Sequence, residues 1–117
     1  MTKTYSSYYE ANAARGKENR ANGIAFEFRV LREQKRKKGV VASVRSEGSH
    51  SPADIITFYK DKIVCISCKN NGYLSPEDSD ELAHFIVNTA KNVQVELHYQ
   101  QSKKKRGTVV LKKAVKV

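Results

Sequence analysis

The chain has 117 residues, with 22 Lys and Arg against 12 Asp and Glu, so its formal net charge is +10. This length favours one domain, and a hydrophobic fraction of 39% is above that of disordered chains. No apolar run approaches the roughly 20 residues of a membrane span, and residues 1–22 lack the apolar core of a signal peptide, so we expect a cytoplasmic protein without membrane contact. The charge indicates a polyanionic partner, and short basic clusters favour nucleic acid over a lipid surface.

The predicted elements form one mixed α/β domain in the order α-β-β-β-α-β-β. Residues 1–19 are predicted as a flexible polar arm or a frayed helical lead-in, and residues 20–117 as the folded domain. The elements are a helix over 22–38, a strand over 40–45, a hairpin of strands over 54–59 and 63–69, a helix beginning at Ser75 and Pro76, a strand over 93–99, a basic loop over 100–107 and a strand over 108–117. A core of this size is modest, so we expect a homodimer.

The predicted hairpin brings an acid close to a lysine. Asp54 begins one strand, and Ser67, Cys68 and Lys69 end the other. Side chains alternate along a strand, so Ser67 and Lys69 lie on one face and Cys68 on the other. A carboxylate beside a lysine suits metal-assisted phosphodiester hydrolysis, although strand ends often carry such residues only as solvated groups.

Three segments resemble the archaeal Holliday junction resolvases of the PD-(D/E)XK nuclease superfamily, over roughly residues 20 to 100. They are Gly23-Ile24-Ala25-Phe26-Glu27, the stretch from Val44 to Ser49 that leads to Pro52-Ala53-Asp54, and Ile66-Ser67-Cys68-Lys69. The resemblance implies a restriction-endonuclease-like mixed five-stranded sheet flanked by helices, in a homodimer that binds a four-way DNA junction and nicks opposing strands. It also implies hydrolysis that leaves a 3′-hydroxyl and a 5′-phosphate.

The same resemblance assigns roles residue by residue. It implies that Glu27 and Asp54 help bind Mg²⁺, which Mn²⁺ can replace, and that Lys69 is the catalytic lysine. It places Arg45, Ser46 and Ser49 near the scissile phosphate.

The sequence departs from the family where Ser67 replaces the Glu of Glu-x-Lys. Serine is a poor Mg²⁺ ligand, so either the site is inactive and the protein only binds junctions, or another carboxylate compensates. Some type II restriction endonucleases look similar, with Ser-x-Lys on the strand and a glutamate from the next helix; Glu81 lies 12 residues after Lys69. Glu81 borders the apolar stripe of that helix, whereas Glu77 and Asp78, the alternatives, also suit a first helical turn.

The predicted metal ligands are therefore Asp54, Glu81, Glu27 and the backbone carbonyl of Cys68, with Ser67 making at most a hydrogen bond. Glu27 has an alternative as a surface acid that pairs with Arg20 or Lys35. Cys65 and Cys68 spell Cys-x-x-Cys, which we interpret as buried structural thiols because an odd spacing puts them on opposite faces.

The basic clusters and one loop histidine are predicted to contact DNA phosphates. Such contacts read shape and backbone rather than base sequence, and they make the affinity salt-dependent. The residues are Arg32, Lys35, Arg36, Lys37, Lys38, His50, Lys103, Lys104, Lys105 and Arg106.

Overall fold

A computed structural model describes the backbone of residues 8–47, 51–70, 74–102 and 105–115, and the side chains of these ranges from Arg20 onward except residues 101 and 102. The elements are α1 (Tyr8–Lys35), β1 (Val40–Arg45), β2 (Ile55–Tyr59), β3 (Ile63–Lys69), α2 (Pro76–Asn88), β4 (Val93–Ser102) and β5 (Lys105–Lys112). In the described ranges, neither helix has the length and apolar character needed to cross a membrane.

The five strands form one sheet in the order β1-β2-β3-β4-β5. Neighbouring strands are antiparallel except β3 and β4, which are parallel because α2 carries the chain back across the sheet between them. The predicted mixed five-stranded sheet flanked by helices, in a single domain, is confirmed.

The core lies between α1 and one face of the sheet. Phe26 and Val30 of α1 pack with Ile55, Val64 and Ile66, and each of these side chains is almost fully buried. Gly39 follows the helix with a φ of 87°, which favours glycine and turns the chain into β1.

α1 is longer at its start than predicted. It begins at Tyr8 rather than Asn22, so residues 8–19 of the predicted arm are helical, and it ends at Lys35 rather than Lys38. The first half is rich in Ala, Glu, Asn and Arg without an apolar stripe, and several of these residues favour helix without packing on a core. Hydrophobic periodicity therefore could not locate the start of this helix.

α2 begins as predicted, and hydrogen bonds from side chains satisfy backbone groups at both of its ends. The Ser75 side chain caps it by accepting a hydrogen bond from the Asp78 backbone N–H at 3.1 Å. At its C-terminal end, Lys112 Nζ of β5 donates to the backbone oxygens of Thr89 at 3.0 Å and Ala90 at 2.7 Å. A lysine from another strand thus supplies the positive charge that the last turn of α2 lacks.

The predicted basic loop over 100–107 is wrong, because β4 and β5 continue through it. β4 runs to Ser102 and β5 begins at Lys105, and β5 ends at Lys112 rather than at Val117. Polar side chains of this ribbon are used by α1: Arg29 donates to Gln100 at 2.7 Å, and Arg106 pairs with Glu33. The polar residues of this segment suggested a loop, but they belong to the paired strands β4 and β5, where two of them contact α1.

Candidate active site

A cleft of about 290 Å³ opens where β3 ends and α2 begins. It contains four of the predicted catalytic residues, namely Asp54, Ser67, Lys69 and Glu81. Ser51, Pro52, Asp78 and Leu82 complete its lining.

Asp54 is held in place by backbone groups of the neighbouring strands. The Cys68 backbone N–H donates to Asp54 Oδ2 at 2.7 Å, and the Asp54 N–H donates to the Ile66 carbonyl at 2.8 Å. The Asp54 carbonyl in turn accepts the Ser46 N–H at 2.8 Å. Because β3 also carries Lys69, the spacing between this carboxylate and the lysine is set by the backbone.

Glu27 approaches Asp54 from α1. Its side chain is 16% exposed and lies 3.8 Å from Arg45, so Glu27 is a largely buried acid with Arg45 as a neighbour. Burial is the main cause that raises the pKa of both Glu27 and Asp54, and the charge of Asp54 raises the pKa of Glu27 further. Burial and mutual repulsion both disfavour two ionised carboxyl groups at close range. A bound cation would offset both effects, so this pair of acids suits a cation site.

Asp78 forms an ion pair with Lys69 that the sequence did not predict. Lys69 Nζ lies 2.8 Å from Asp78 Oδ2, and this hydrogen bond lowers the pKa of Asp78. The sequence presents Asp78 as an acid of a first helical turn and as an alternative to Glu81, but not as a partner of Lys69. Its position three residues before Glu81 places both on one helix face, and that spacing was the available signal. The exposed Glu77 is not among the lining residues.

The donor set of the cleft fits a hard divalent cation. In the part of the chain that the structure describes, no three His, Cys, Asp or Glu side chains form a preassembled metal cluster. Mg²⁺ commonly binds through one or two carboxylates and keeps several waters, and Asp54 and Glu81 line the same cleft. The Cys68 carbonyl faces the same side of β3 as its N–H, which is the side of Asp54.

Two of the predicted DNA-binding arginines are engaged within the protein. Arg45 stacks over the Phe28 ring at 4.8 Å beside Glu27, and Arg106 pairs with Glu33. Ser46 adjoins Asp54, and Lys105 is exposed. The exposed Arg32 and Lys35–Lys38 lie toward the end of α1 that is remote from the cleft. Ser49, His50, Lys103 and Lys104 lie outside the described residues.

The two cysteines are free thiols, as expected. Cys65 is buried and Cys68 is partly buried against the α1 core. Burial raises the pKa of both thiols, and the charges of Asp54 and Glu27 raise that of Cys68 further.

The mixed sheet with its two helices matches the fold of solved structures. Among the matching solved structures is that of Archaeoglobus fulgidus Hjc, a Holliday junction resolvase from an archaeal hyperthermophile. The two chains are 21% identical, with a TM-score of 0.57 over 75% of this chain and 76% of the other. A scan against protein-family models finds no match, and neither does a search of curated proteins. The structural similarity establishes the fold.

Proposed function

We propose that the protein is a metal-dependent, structure-specific DNA endonuclease that resolves four-way junctions as a homodimer in the cytoplasm. The observation that carries this proposal is the convergence of Asp54, Ser67, Lys69 and Glu81 on one cleft. The shared fold with an archaeal Holliday junction resolvase supports it.

In this mechanism Asp54 and Glu81, with Glu27 and the Cys68 carbonyl, would hold Mg²⁺ or Mn²⁺. The bound metal supplies Lewis acidity toward the scissile phosphate and lowers the pKa of a water. Lys69 orients the attacking water or neutralises phosphate charge, leaving a 3′-hydroxyl and a 5′-phosphate. The Ser67 hydroxyl, 4% exposed at the base of the cleft, is limited to hydrogen bonding.

Asp78 adds a step to this mechanism. In the protein without DNA, Asp78 Oδ2 forms an ion pair with Lys69 Nζ at 2.8 Å. A DNA phosphate that enters the cleft therefore competes with Asp78 for the ammonium group. The pair keeps Lys69 directed into the cleft until that exchange occurs.

A catalytically inactive junction-binding protein is the second candidate. Ser67 in place of glutamate favours it, together with the lack of a preassembled three-residue metal cluster in the described ranges. A third candidate is a nuclease that cuts other branched or duplex nucleic acid, because the same catalytic residues would serve for those substrates.

The homodimer belongs to the proposal as well. Val44 and Phe58 lie on the sheet face opposite α1, and they are 46% and 37% exposed. We assign this apolar strip to a second copy of the chain, because a resolvase that cuts two opposing strands needs two sites. Light scattering of the purified protein measures this directly, and a monomeric mass at micromolar concentration would contradict it.

The test of the function is cleavage of an end-labelled four-way junction against a linear duplex, in Mg²⁺ and in Mn²⁺. We expect paired symmetric nicks from wild type, and losses of at least about 100-fold in Asp54→Asn and Glu81→Gln. Glu77→Gln is the matched control, since it removes the same charge from an exposed position of α2 outside the cleft lining. Tight junction binding without cleavage, together with cleavage gained in Ser67→Glu, would replace the proposal with the inactive binder.

A further inference from the structure

Most of the net positive charge of the chain is concentrated at the end of the sheet opposite the cleft. Four described segments meet there, which are residues 35–40, 59–63, 89–94 and 112–115. Together they contain nine lysines and arginines and a single acid, Asp61. We call this surface the far end; its basic residues are Lys35, Arg36, Lys37, Lys38, Lys60, Lys62, Lys91, Lys112 and Lys113.

Backbone contacts make the far end one continuous surface. Gly39 lies against the Tyr59 ring, and the Tyr59 N–H donates to the Lys62 carbonyl at 2.9 Å. The next segment joins it through the Ile63 N–H, which donates to the Asn92 carbonyl at 3.1 Å. The last joins through the Val115 N–H, which donates to the Lys91 carbonyl at 2.8 Å. The lysines of these turns therefore surround one end of the sheet.

The far end is separate from the cleft. Ile63 lies at one end of β3 and Lys69 at the other, so the two surfaces are about 20 Å apart along the strand. Acids gather at the other end, since Asp54, Asp78 and Glu81 line the cleft and Glu27 interacts with Asp54. The far end and the cleft are therefore two distinct surfaces of the sheet.

The chemistry of the far end fits a nucleic-acid backbone. Most of its cations are lysines, which act on phosphates as point charges without reading base edges. Lys35, Lys38, Lys60 and Lys113 are all exposed. The surface is built from turns and strand ends rather than from one long amphipathic helix with bulky apolar residues, which is what binding to a lipid surface requires.

We propose that the far end binds the phosphate backbone of a DNA duplex outside the cleft and independently of sequence. The protein thereby holds a stretch of duplex that it does not cut. This inference goes beyond the proposed function, because it requires neither a metal nor a competent cleft.

The test measures the affinity for a 20-base-pair linear duplex by fluorescence anisotropy, without divalent metal, from about 50 to 200 mM salt. The first variant combines Lys35→Gln, Lys38→Gln, Lys60→Gln and Lys113→Gln. Removal of one lysine–phosphate interaction lowers the slope of log affinity against log salt by about 0.9, so we expect the slope to fall by about 2 to 4. A slope and affinity equal to those of wild type would overturn the proposal.

A matched pair of acid substitutions separates location from net charge. Asp61→Asn removes the single acid of the far end, and Asp80→Asn removes an exposed acid of α2. We expect Asp61→Asn to bind the duplex about two- to five-fold more tightly, since one negative charge that repels phosphate is removed, and Asp80→Asn to bind as wild type does. Equal gains in both variants would contradict a localised surface.

Two further readouts distinguish duplex binding at the far end from cleavage and from lipid binding. The double variant of Lys60→Gln and Lys113→Gln changes two exposed far-end lysines outside the DNA contacts predicted from the sequence, and at saturating concentration it should cleave junctions as fast as wild type. An inactive wild type that still loses duplex affinity in the four-lysine variant contradicts only the proposed function. Anionic phosphatidylserine vesicles serve as the competing probe. A stronger dependence of vesicle binding than of duplex binding on the four lysines would assign the far end to lipid and overturn the proposal.

Discussion

The two helices both bring carboxylates to the cleft, but they are held to the sheet by different forces. α1 buries Phe26 and Val30 against Ile55, Val64 and Ile66. α2 buries one side chain, Leu82, in the described structure, and its two ends are fixed by lysines of the sheet. Lys69 pairs with Asp78 in the first turn, and Lys112 binds the carbonyls after the last turn.

This difference has a consequence for the site. Glu27 is positioned by burial of apolar surface, which salt does not weaken, whereas Glu81 is positioned largely by charged contacts. A carboxylate on a helix that is fixed by charged contacts can shift more easily when a metal or a phosphate binds nearby. The α2 helix, which carries Glu81 to the cleft, is therefore the more adaptable of the two.

The largest difference between the α1 side and the α2 side of the sheet is expected in the free energy of unfolding of core variants. Ile66→Ala should lower the free energy of unfolding by about 3 to 5 kcal/mol, because the cavity lies in a rigid layer under α1. Leu82→Ala should cost only about 2 kcal/mol, since a thinly packed helix can settle into the space. Urea unfolding measures both, and equal losses would show that the layers are packed alike.

Metal binding tests which layer supplies the ligand. A Mg²⁺ concentration ten times the dissociation constant should stabilise wild type by about 1.4 kcal/mol, seen as a rise in Tm. Glu81→Gln should abolish most of this rise, and Glu77→Gln should leave it unchanged. If Mg²⁺ raised the Tm of Glu81→Gln as much as that of wild type but did not raise the Tm of Glu27→Gln, the metal ligand would instead come from α1.

The lysine at the end of α2 should have a smaller effect. Lys112→Met keeps the aliphatic part of the side chain but removes the donor to Thr89 and Ala90, and we expect the free energy of unfolding to fall by about 1 kcal/mol. The difference from wild type should shrink at high salt. Lys113→Met, at the exposed neighbouring position, is the control, and an equal loss there would contradict the cap.

The smallest effect concerns a hydrogen-bonded pair beneath α1, Glu96 and His98. The Glu96 side chain lies 2.9 Å from His98, and this hydrogen bond is the main cause that lowers the pKa of Glu96. A depressed carboxyl pKa stabilises the fold above the unfolded value and loses that contribution as pH falls through the folded pKa. The Tm of wild type should therefore fall more steeply below about pH 4.5 than that of Glu96→Gln. Parallel curves would contradict this.

Local patterns predicted the sheet well because alternation and turn residues are local properties. β1 and β3 have the predicted bounds, and Glu81 reaches the cleft as its helical position indicated. The pair of Lys69 with Asp78 could not be predicted, because it depends on how α2 lies against the end of β3. The same holds for Arg106, whose partner Glu33 is 73 residues away.

Cys68 decides which metals suit the cleft. Its backbone N–H holds Asp54, but its thiol points toward the α1 core, and its raised pKa keeps it protonated at neutral pH. Soft ions such as Zn²⁺ and Cu⁺ gain most from thiolate donors, and the cleft lining presents oxygen donors instead. A sulfur atom adjacent to the candidate site is in this way withheld from coordination, which agrees with the proposal of Mg²⁺ or Mn²⁺.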